Sequence, residues 1–518
     1  MSDYKKLQNG SDIRGVSLKG VPGEDVNLGA KEARNIGFAF AEFLKSKGLN
    51  GSVAIGRDPR LTGQMLAKHL EKGIVCGGMR VDNYGLSTTP AMFMSTVFAE
   101  TSCVGAIMIT ASHLPYNRNG FKFFTNEGGL NKEDITVILK IAESCCERNS
   151  DLGCCKNDKH IVESESISND KKINSCTNEN NKLMQLYCNH LKHIIIEGCA
   201  EGELPLHDLT IAVDAGNGSG GFFANNVLAP LGAKIYGKYL EPDGNFPNHL
   251  PNPENKEAMA SISKAVIDSN ADLGLIFDTD CDRASAVDET GKEIARNGIV
   301  ALAAALISEK HPATTVVTDS ITSPELTKFL EHELGLKHLR FKRGYKNVIN
   351  KAIELNAEGT ESHLAIETSG HAAIKDNYFL DDGAYLATLI VIKTAKLKKS
   401  GKTIGSVLAN LEEPAETLEV RMNIRGEDFA KTGDNVLAEL QKWVKNSRNM
   451  TLVTPNYEGV RVDFEDGETK GWFLLRKSLH DPILPLNIES SSIGGVQKIL
   501  GELKPFLCAF TNLDTSKL

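Results

Sequence analysis

The sequence predicts an α/β protein of several domains. Three observations carry that expectation: the chain length, a strand-then-helix alternation along most of the chain, and a change of pattern in the last hundred residues. At 518 residues the chain has room for three or four domains. Hydrophobic residues make up 41% and charged residues 24%, which is ordinary for a globular protein with several cores.

The alternation begins at GSVAIGRD (51–58), a strand running into a loop, followed by the amphipathic LTGQMLAKHLEKGIVCGG (61–78), which stops at glycine. VGAIMI (104–109) is a buried strand that leads into the polar TASHLPYNRNGFKFF (110–124). LTIAVDAGNGSGG (209–221) is a strand entering a Gly-rich loop, then the helical FFANNVLAPLG and the strand AKIYGKYLE. ADLGLIFDTDCD (271–282), TTVVTDS (314–320) and HLAIETSGH (363–371) repeat the form. Apolar strands alternating with helices imply parallel or mixed sheets, with ligands at polar loops beyond strand C-termini. The end of the chain differs. AETLEVRMNI, EGVRVDFEDGETKGWFLLRKS and LPLNIESSS alternate as strands do, with DG as a hairpin turn, and NVLAELQKWVKN and GGVQKILGELKPFL read as helices. That is an α+β module. The expected division is 1–200, 201–308, 309–414 and 415–518, with a polar, Cys-rich insertion at 147–182.

Bulk charge narrows the partners. A net charge of −9 argues against a nucleic-acid surface and, more weakly, against an anionic membrane. No run of 18 apolar residues and no targeting segment is visible, so the cytoplasm is the expected location. Eleven cysteines, an odd number, predict free thiols rather than a disulfide framework.

DTDCDR places Asp278, Asp280 and Asp282 at alternate positions after a strand. Extended backbone would point all three the same way, and a hard cation such as Mg²⁺ would relieve their repulsion. A solvated acidic turn is the bland alternative. A calcium loop would need Gly at position six, where Arg283 stands, and a helix before it. GNGSGG offers a competing chemistry. Gly216, Gly218 and Gly221, with Glu241 about twenty residues on, match dinucleotide spacing and make a nicotinamide-dependent dehydrogenase the remote alternative. LLRKSLHDP aligns Arg476, Ser478 and His480 as phosphate handles. IETSGH offers Glu367 and Ser369 for sugar hydroxyls, and FKRGYKN supplies Arg343, Gly344 and Lys346 in a basic turn.

Taken in order, these segments resemble the α-D-phosphohexomutase superfamily of phosphoglucomutases and phosphomannomutases over nearly the whole chain outside the insertion. NGSDIRG is similar to the family's N-terminal Arg segment, TASHLPYNRNGFK to its phosphoserine loop, DTDCDR to its metal loop, ETSGH to its sugar loop and RKSLHDP to its phosphate loop. The resemblance implies four domains around a central cleft, three α/β with mixed sheets and one C-terminal α+β. It implies catalysis by Ser112, His113, Lys122 and Arg14. It implies one Mg²⁺ on Asp278, Asp280, Asp282 and phosphorylated Ser112. Substrate contacts would come from Arg283, Gly344, Lys346, Glu367, Thr368, Ser369, Arg476, Ser478 and His480. The implied reaction interconverts hexose 1- and 6-phosphates through a hexose 1,6-bisphosphate, which also serves as activator. The implied partners are small sugar phosphates, with no nucleic acid or membrane, for a monomer or dimer. An amino-sugar phosphate mutase and a non-catalytic sugar-phosphate sensor are the alternatives within the fold. The chain departs from the family pattern at Leu114, at Ile366 and at Leu479–His480–Asp481.

Overall fold

A computed structural model describes residues 3–147, 181–200, 202–426, 428–478 and 481–518. The interior of the Cys-rich insertion and His480 lie outside the described residues. The chain divides into two compact units, Met1–Glu293 with Leu380–Lys402, and Ile294–Phe379 with Thr403–Leu518.

The first unit holds two mixed sheets. In the first, the strands run in the order Gln8–Asn9, Asp12–Val16, Arg118–Thr125, Gly105–Ile109, Ser52–Arg57, Arg80–Leu86. Ser52–Arg57 pairs in parallel with both of its neighbours, whereas Gly105–Ile109 and Arg118–Thr125 pair antiparallel. In the second, Leu273–Phe277 is parallel to Thr210–Asp214 and antiparallel to Ala284–Val287. Gly105–Ile109 and Leu273–Phe277 are buried at every residue. A central strand covered on both faces reads as a continuous apolar run, not as an alternation.

The second unit also holds two sheets. One has Thr315–Thr318 parallel to Lys337–Arg340 and Leu364–Ile366, with Ala372–Ile374 antiparallel to the last. The other is antiparallel throughout, in the order Glu416–Asn423, Ile483–Ser490, Lys470–Leu475, Val460–Glu465, Met450–Leu452. The helices Phe429–Val444 and Gly495–Cys508 send Val436, Leu440, Ile499 and Leu503 into the same core as Val462, Phe473 and Ile488.

The ligand loops lie beyond strand C-termini as expected, but TASHLPYN, DTDCD and ETSGH lead into a second strand and not into a helix; the Arg476 loop joins two of the strands expected at the end of the chain. Each is the connection of an antiparallel hairpin: 109 to 118, 277 to 284, 366 to 372 and 475 to 483. The thiol expectation also changes. Cys103, Cys188, Cys199 and Cys281 are free, but Cys76 is disulfide-bonded. Among the described residues no helix is long and apolar enough to cross a membrane.

Candidate active site

In the first unit the hairpin loop of one sheet meets that of the other at Ser112. Its φ is 49°, a left-handed conformation that a serine adopts at a cost. The turn is held because the Ser112 N–H donates to Thr110 Oγ1 at 2.8 Å. Ser112 Oγ lies 3.0 Å from Asp278 Oδ2 and accepts from Arg283 Nη2 at 3.0 Å. His113 is exposed, with Nδ1 3.4 Å from the same hydroxyl.

Asp278, Asp280 and Asp282 are buried, and one carboxylate oxygen from each lies within 4.8 Å of the others. They converge, but not through extended backbone. Residues 279–282 form a turn with Cys281 at φ 65°, and the turn folds the three carboxylates together. Thr89 holds Asp280 twice: its N–H donates to the Asp280 carbonyl at 2.9 Å and its hydroxyl to Oδ2 at 2.5 Å. Asp280 Oδ1 is buried without a hydrogen-bond partner. A bare carboxylate oxygen among two further buried carboxylates is the donor set of a hard divalent cation.

Cations complete the charge balance. Arg283 is 1% exposed and bonds to Asp278 through its backbone N–H and Nε. Burial alone would weaken its hold on the proton, but Asp278 and Asp282 outweigh that and raise its pKa. Lys122 Nζ pairs with Asp282 and lies 3.6 Å from Asp280. Arg14 sits opposite Gly120 across the sheet, on the face that also carries Lys122. A Cβ on Gly120 would stand 2.8 Å from Arg14 Cδ, so the glycine leaves the arginine room to reach the Thr110 carbonyl.

Sequence reading missed Arg60. It is 2% exposed, and all five of its side-chain N–H donors find acceptors. They are Asp58 Oδ2 and the carbonyls of Ser112, Leu114, Pro115 and Arg118. One buried guanidinium thus pins the whole serine loop by its backbone. Leu114 joins through its carbonyl, with its side chain only partly buried. The departure at 114 therefore leaves the loop's scaffold untouched. The available signal was the charged pair in RDPR, directly after a buried strand.

The Gly-rich loop has a structural task. Gly216 N donates to Asp214, Asn217 N to the Tyr239 carbonyl, Gly218 N to Ala215 and Ser219 N to Thr279. A Cβ at Gly218 would stand 2.8 Å from the Thr279 carbonyl, and one at Gly221 would stand 2.0 Å from that of Leu240. The glycines let this loop buttress the aspartate turn. The N–H groups of Gly216, Asn217, Gly218 and Ser219 already have acceptors, so this stretch does not present the N–H cradle that a pyrophosphate requires.

The second unit gathers the remaining predicted residues. Glu367 accepts from Gly344 N at 2.6 Å and lies 3.5 Å from His371 Nδ1, which is 2.9 Å from Ser369 Oγ. Burial works against its charge, but His371, Arg343 and the Gly344 N–H hold its pKa below the ordinary value. Thr368 donates to Asp319 Oδ2 at 2.9 Å. Asp319, unforeseen from sequence, is pushed up to about 7 by burial and by the Glu367 charge. Lys346 lies in the first turn of the helix Tyr345–Ala357, half-buried. Arg476 is buried, and its Nε has no hydrogen-bond partner. Burial and the nearby Arg343 both lower its pKa. Ser478 Oγ accepts from the Asp481 N–H at 3.2 Å. A buried, partly unpartnered guanidinium beside a second one is suited to a phosphate dianion.

Known proteins match this arrangement. Models of "Phosphoglucomutase/phosphomannomutase, alpha/beta/alpha domain I", "domain II" and "domain III" match residues 5–148, 185–291 and 295–414. A phosphomannomutase/phosphoglucomutase of Pseudomonas putida is 29% identical over 492 residues, 94% of each chain. A phosphoglucomutase of Neisseria gonorrhoeae is 29% identical over 495 residues, 95% of each chain. The crystal structure of a phosphoglucomutase/phosphomannomutase family protein from Burkholderia thailandensis superposes with a TM-score of 0.76 at 24% identity, covering 98% of both chains. With three successive domain matches and near full-length relatives, the chain belongs to the phosphoglucomutase/phosphomannomutase family of the α-D-phosphohexomutase superfamily.

Proposed function

We infer that this protein is a hexose-phosphate mutase that interconverts the 1- and 6-phosphates of glucose, mannose or both. The single observation that carries the reading is Ser112 Oγ. A serine hydroxyl held between a buried arginine and the first of three buried aspartates is placed to carry a phosphoryl group beside a cation.

In this reading Asp278, Asp280, Asp282 and phosphorylated Ser112 would hold one Mg²⁺. The bound ion would offset charge on the phosphoryl group and ease attack at phosphorus. Arg283 contributes the same electrostatic help from the protein side, and its raised pKa keeps it cationic at any working pH. A hexose 1-phosphate is gripped by Arg476, Ser478 and His480 through its phosphate. Glu367, Thr368, Ser369, Gly344 and Lys346 hold the sugar. Its 6-hydroxyl attacks the phosphoryl group, the bond to Ser112 Oγ breaks, and the proton passes to the neutral imidazole of His113, while Lys122, ion-paired with Asp282, acts as a cation beside the reacting groups. Arg14 stabilises the developing charge. The resulting 1,6-bisphosphate reverses, returns its other phosphoryl group to Ser112 and leaves as the 6-phosphate. The same bisphosphate activates enzyme that has lost its phosphate.

The division 1–200, 201–308, 309–414 and 415–518 belongs to this reading, as do the cytoplasmic location and a monomeric or dimeric state. A coupled assay tests it: purified protein with Mg²⁺ and a trace of glucose 1,6-bisphosphate is offered glucose, mannose and glucosamine 1-phosphates. Turnover of glucose or mannose 1-phosphate supports the reading. Turnover of the amino sugar alone, or of none, overturns it.

A further inference from the structure

A second cluster of metal-ligating side chains lies in the second unit, outside the residues of the proposed reaction. His311 follows the helix Asn297–Ser308, and its N–H donates to the Ile307 carbonyl at 2.9 Å. His363 directly precedes the strand Leu364–Ile366, and Asp376 lies in the short turn Lys375–Asn377 after the partner strand. Backbone bonds fix the last two against each other, because Lys375 N donates to the His363 carbonyl at 3.0 Å. His363 and Glu367 flank the same three-residue strand, so the cluster sits about 13 Å from the sugar loop, at the opposite strand end.

The two imidazoles stack at 3.6 Å with an interplanar angle of 13°. His311 Nε2 lies 3.3 Å from Asp376 Oδ2, and His363 Nδ1 lies 4.0 Å from Asp376 Oδ1. One ligand atom from each of the three residues falls within 4.8 Å of the others. His363 is only 8% exposed, and its Nδ1 is buried with no hydrogen-bond partner. Asp376 Oδ1, 4.0 Å from that nitrogen, is beyond hydrogen-bond reach, so the packed histidines and Asp376 alone leave it unsatisfied. Burial, His311 and Lys375 all lower the His363 pKa, which keeps the ring neutral and its lone pair available. Lys375 Nζ is engaged with Asn356 Oδ1 at 2.7 Å, and Glu361 adds a nearby negative charge.

We propose that His311 Nε2, His363 Nδ1 and one Asp376 carboxylate oxygen bind a Zn²⁺ ion, with water in the fourth position. Ligand atoms around a tetrahedral zinc stand about 3.3 Å apart. The His311–Asp376 pair already has that spacing. His311 and Asp376 are the partly exposed members and swing the remaining distance toward the buried His363. Two imidazoles and one carboxylate select a borderline transition ion over Mg²⁺, which prefers an all-oxygen set. The ion would tie the end of the helix Asn297–Ser308 to the hairpin that carries Glu367.

The test uses the full chain, with accessible cysteines blocked by iodoacetamide. Wild type and His311→Ala/His363→Ala are stripped with chelator and dialysed against micromolar Zn²⁺ in millimolar Mg²⁺. Elemental mass spectrometry then counts zinc per chain, and zinc held elsewhere is common to both samples. The expected result is one zinc more per chain in wild type, with a Zn²⁺-dependent rise in Tm that the double variant lacks. Equal zinc counts overturn the proposal. If the double variant does not fold, His311→Asn replaces a partly exposed residue. Its zinc affinity should fall on the order of 10- to 100-fold, and an unchanged affinity overturns the proposal.

Discussion

The two units meet the same problem, buried charge, in opposite ways. In the first, most charge is matched on the protein itself, with Asp280 Oδ1 left for a cation: Arg283 lies on Asp278, Lys122 on Asp282, and Arg60 on Asp58 and four carbonyls. In the second, charge is left open. Arg476 has a buried donor without an acceptor, and Asp319 and Glu367 share one buried region with raised and lowered pKa values. A site that keeps a covalent phosphoryl group must hold its geometry through every step. A site that captures and releases a substrate gains from groups that only the ligand satisfies. The first unit thus fits chemistry and the second fits recognition.

The largest effect that would sharpen this contrast is Ser112→Ala. Loss of the carrier hydroxyl should lower kcat on the order of 10⁴-fold or more with little change in substrate affinity, as read by the coupled assay and by calorimetric titration. Arg60→Met tests whether the first unit is scaffolded by internal charge. It removes five hydrogen bonds and takes the counter-charge from buried Asp58, so urea unfolding should show a loss of about 3–5 kcal/mol. A stability loss below about 1 kcal/mol would break that half of the comparison. Arg476→Lys should act mainly on KM, raising it on the order of 10-fold or more because a point charge replaces a fork. A fall in kcat with unchanged KM would place Arg476 in the chemistry instead.

Asp319 gives the pH signature of the second unit. Its folded pKa, near 7, exceeds the ordinary value of about 3.9, so the folded state binds the extra proton between those limits. Stability should therefore fall as pH rises from about 4 to about 7. Asp319→Asn should flatten that slope in urea titrations taken across the range. Glu367 is displaced the other way, so its own contribution is lost only as pH falls below about 4.3. The smallest expected effect is Leu114→Asn. Arg60 holds this residue by its carbonyl, so stability should change by less than about 0.5 kcal/mol. A larger change, in stability or in turnover, would show that the side chain matters.

The sequence exposes what rests on residue type and leaves hidden what rests on long-range register. Gly105–Ile109 and Leu273–Phe277 were legible as strands because both faces are buried and every residue is apolar or small. The convergence of three aspartates was legible from their spacing, but the reason given for it was not the real one. A turn at Cys281, rather than extended backbone, brings them together. The hairpin placement of the first three loops was illegible, because antiparallel pairing is set by a partner strand that local pattern does not name, whereas RKSLHDP was already readable between two strands. Arg60 was hidden for a related reason: its five acceptors lie more than fifty residues away, apart from Asp58. GNGSGG fits dinucleotide spacing without that function because glycine marks close backbone approach whatever approaches. Here that is the Thr279 and Leu240 carbonyls.

The central claim is that Ser112 carries the phosphoryl group. Intact-mass analysis after incubation with glucose 1,6-bisphosphate and Mg²⁺ tests it most directly. The account predicts one added phosphoryl group on the wild-type chain, mapped to Ser112 by peptide fragmentation and absent from Ser112→Ala. A wild-type chain that never gains that mass, or one that carries it on another residue, would contradict the account.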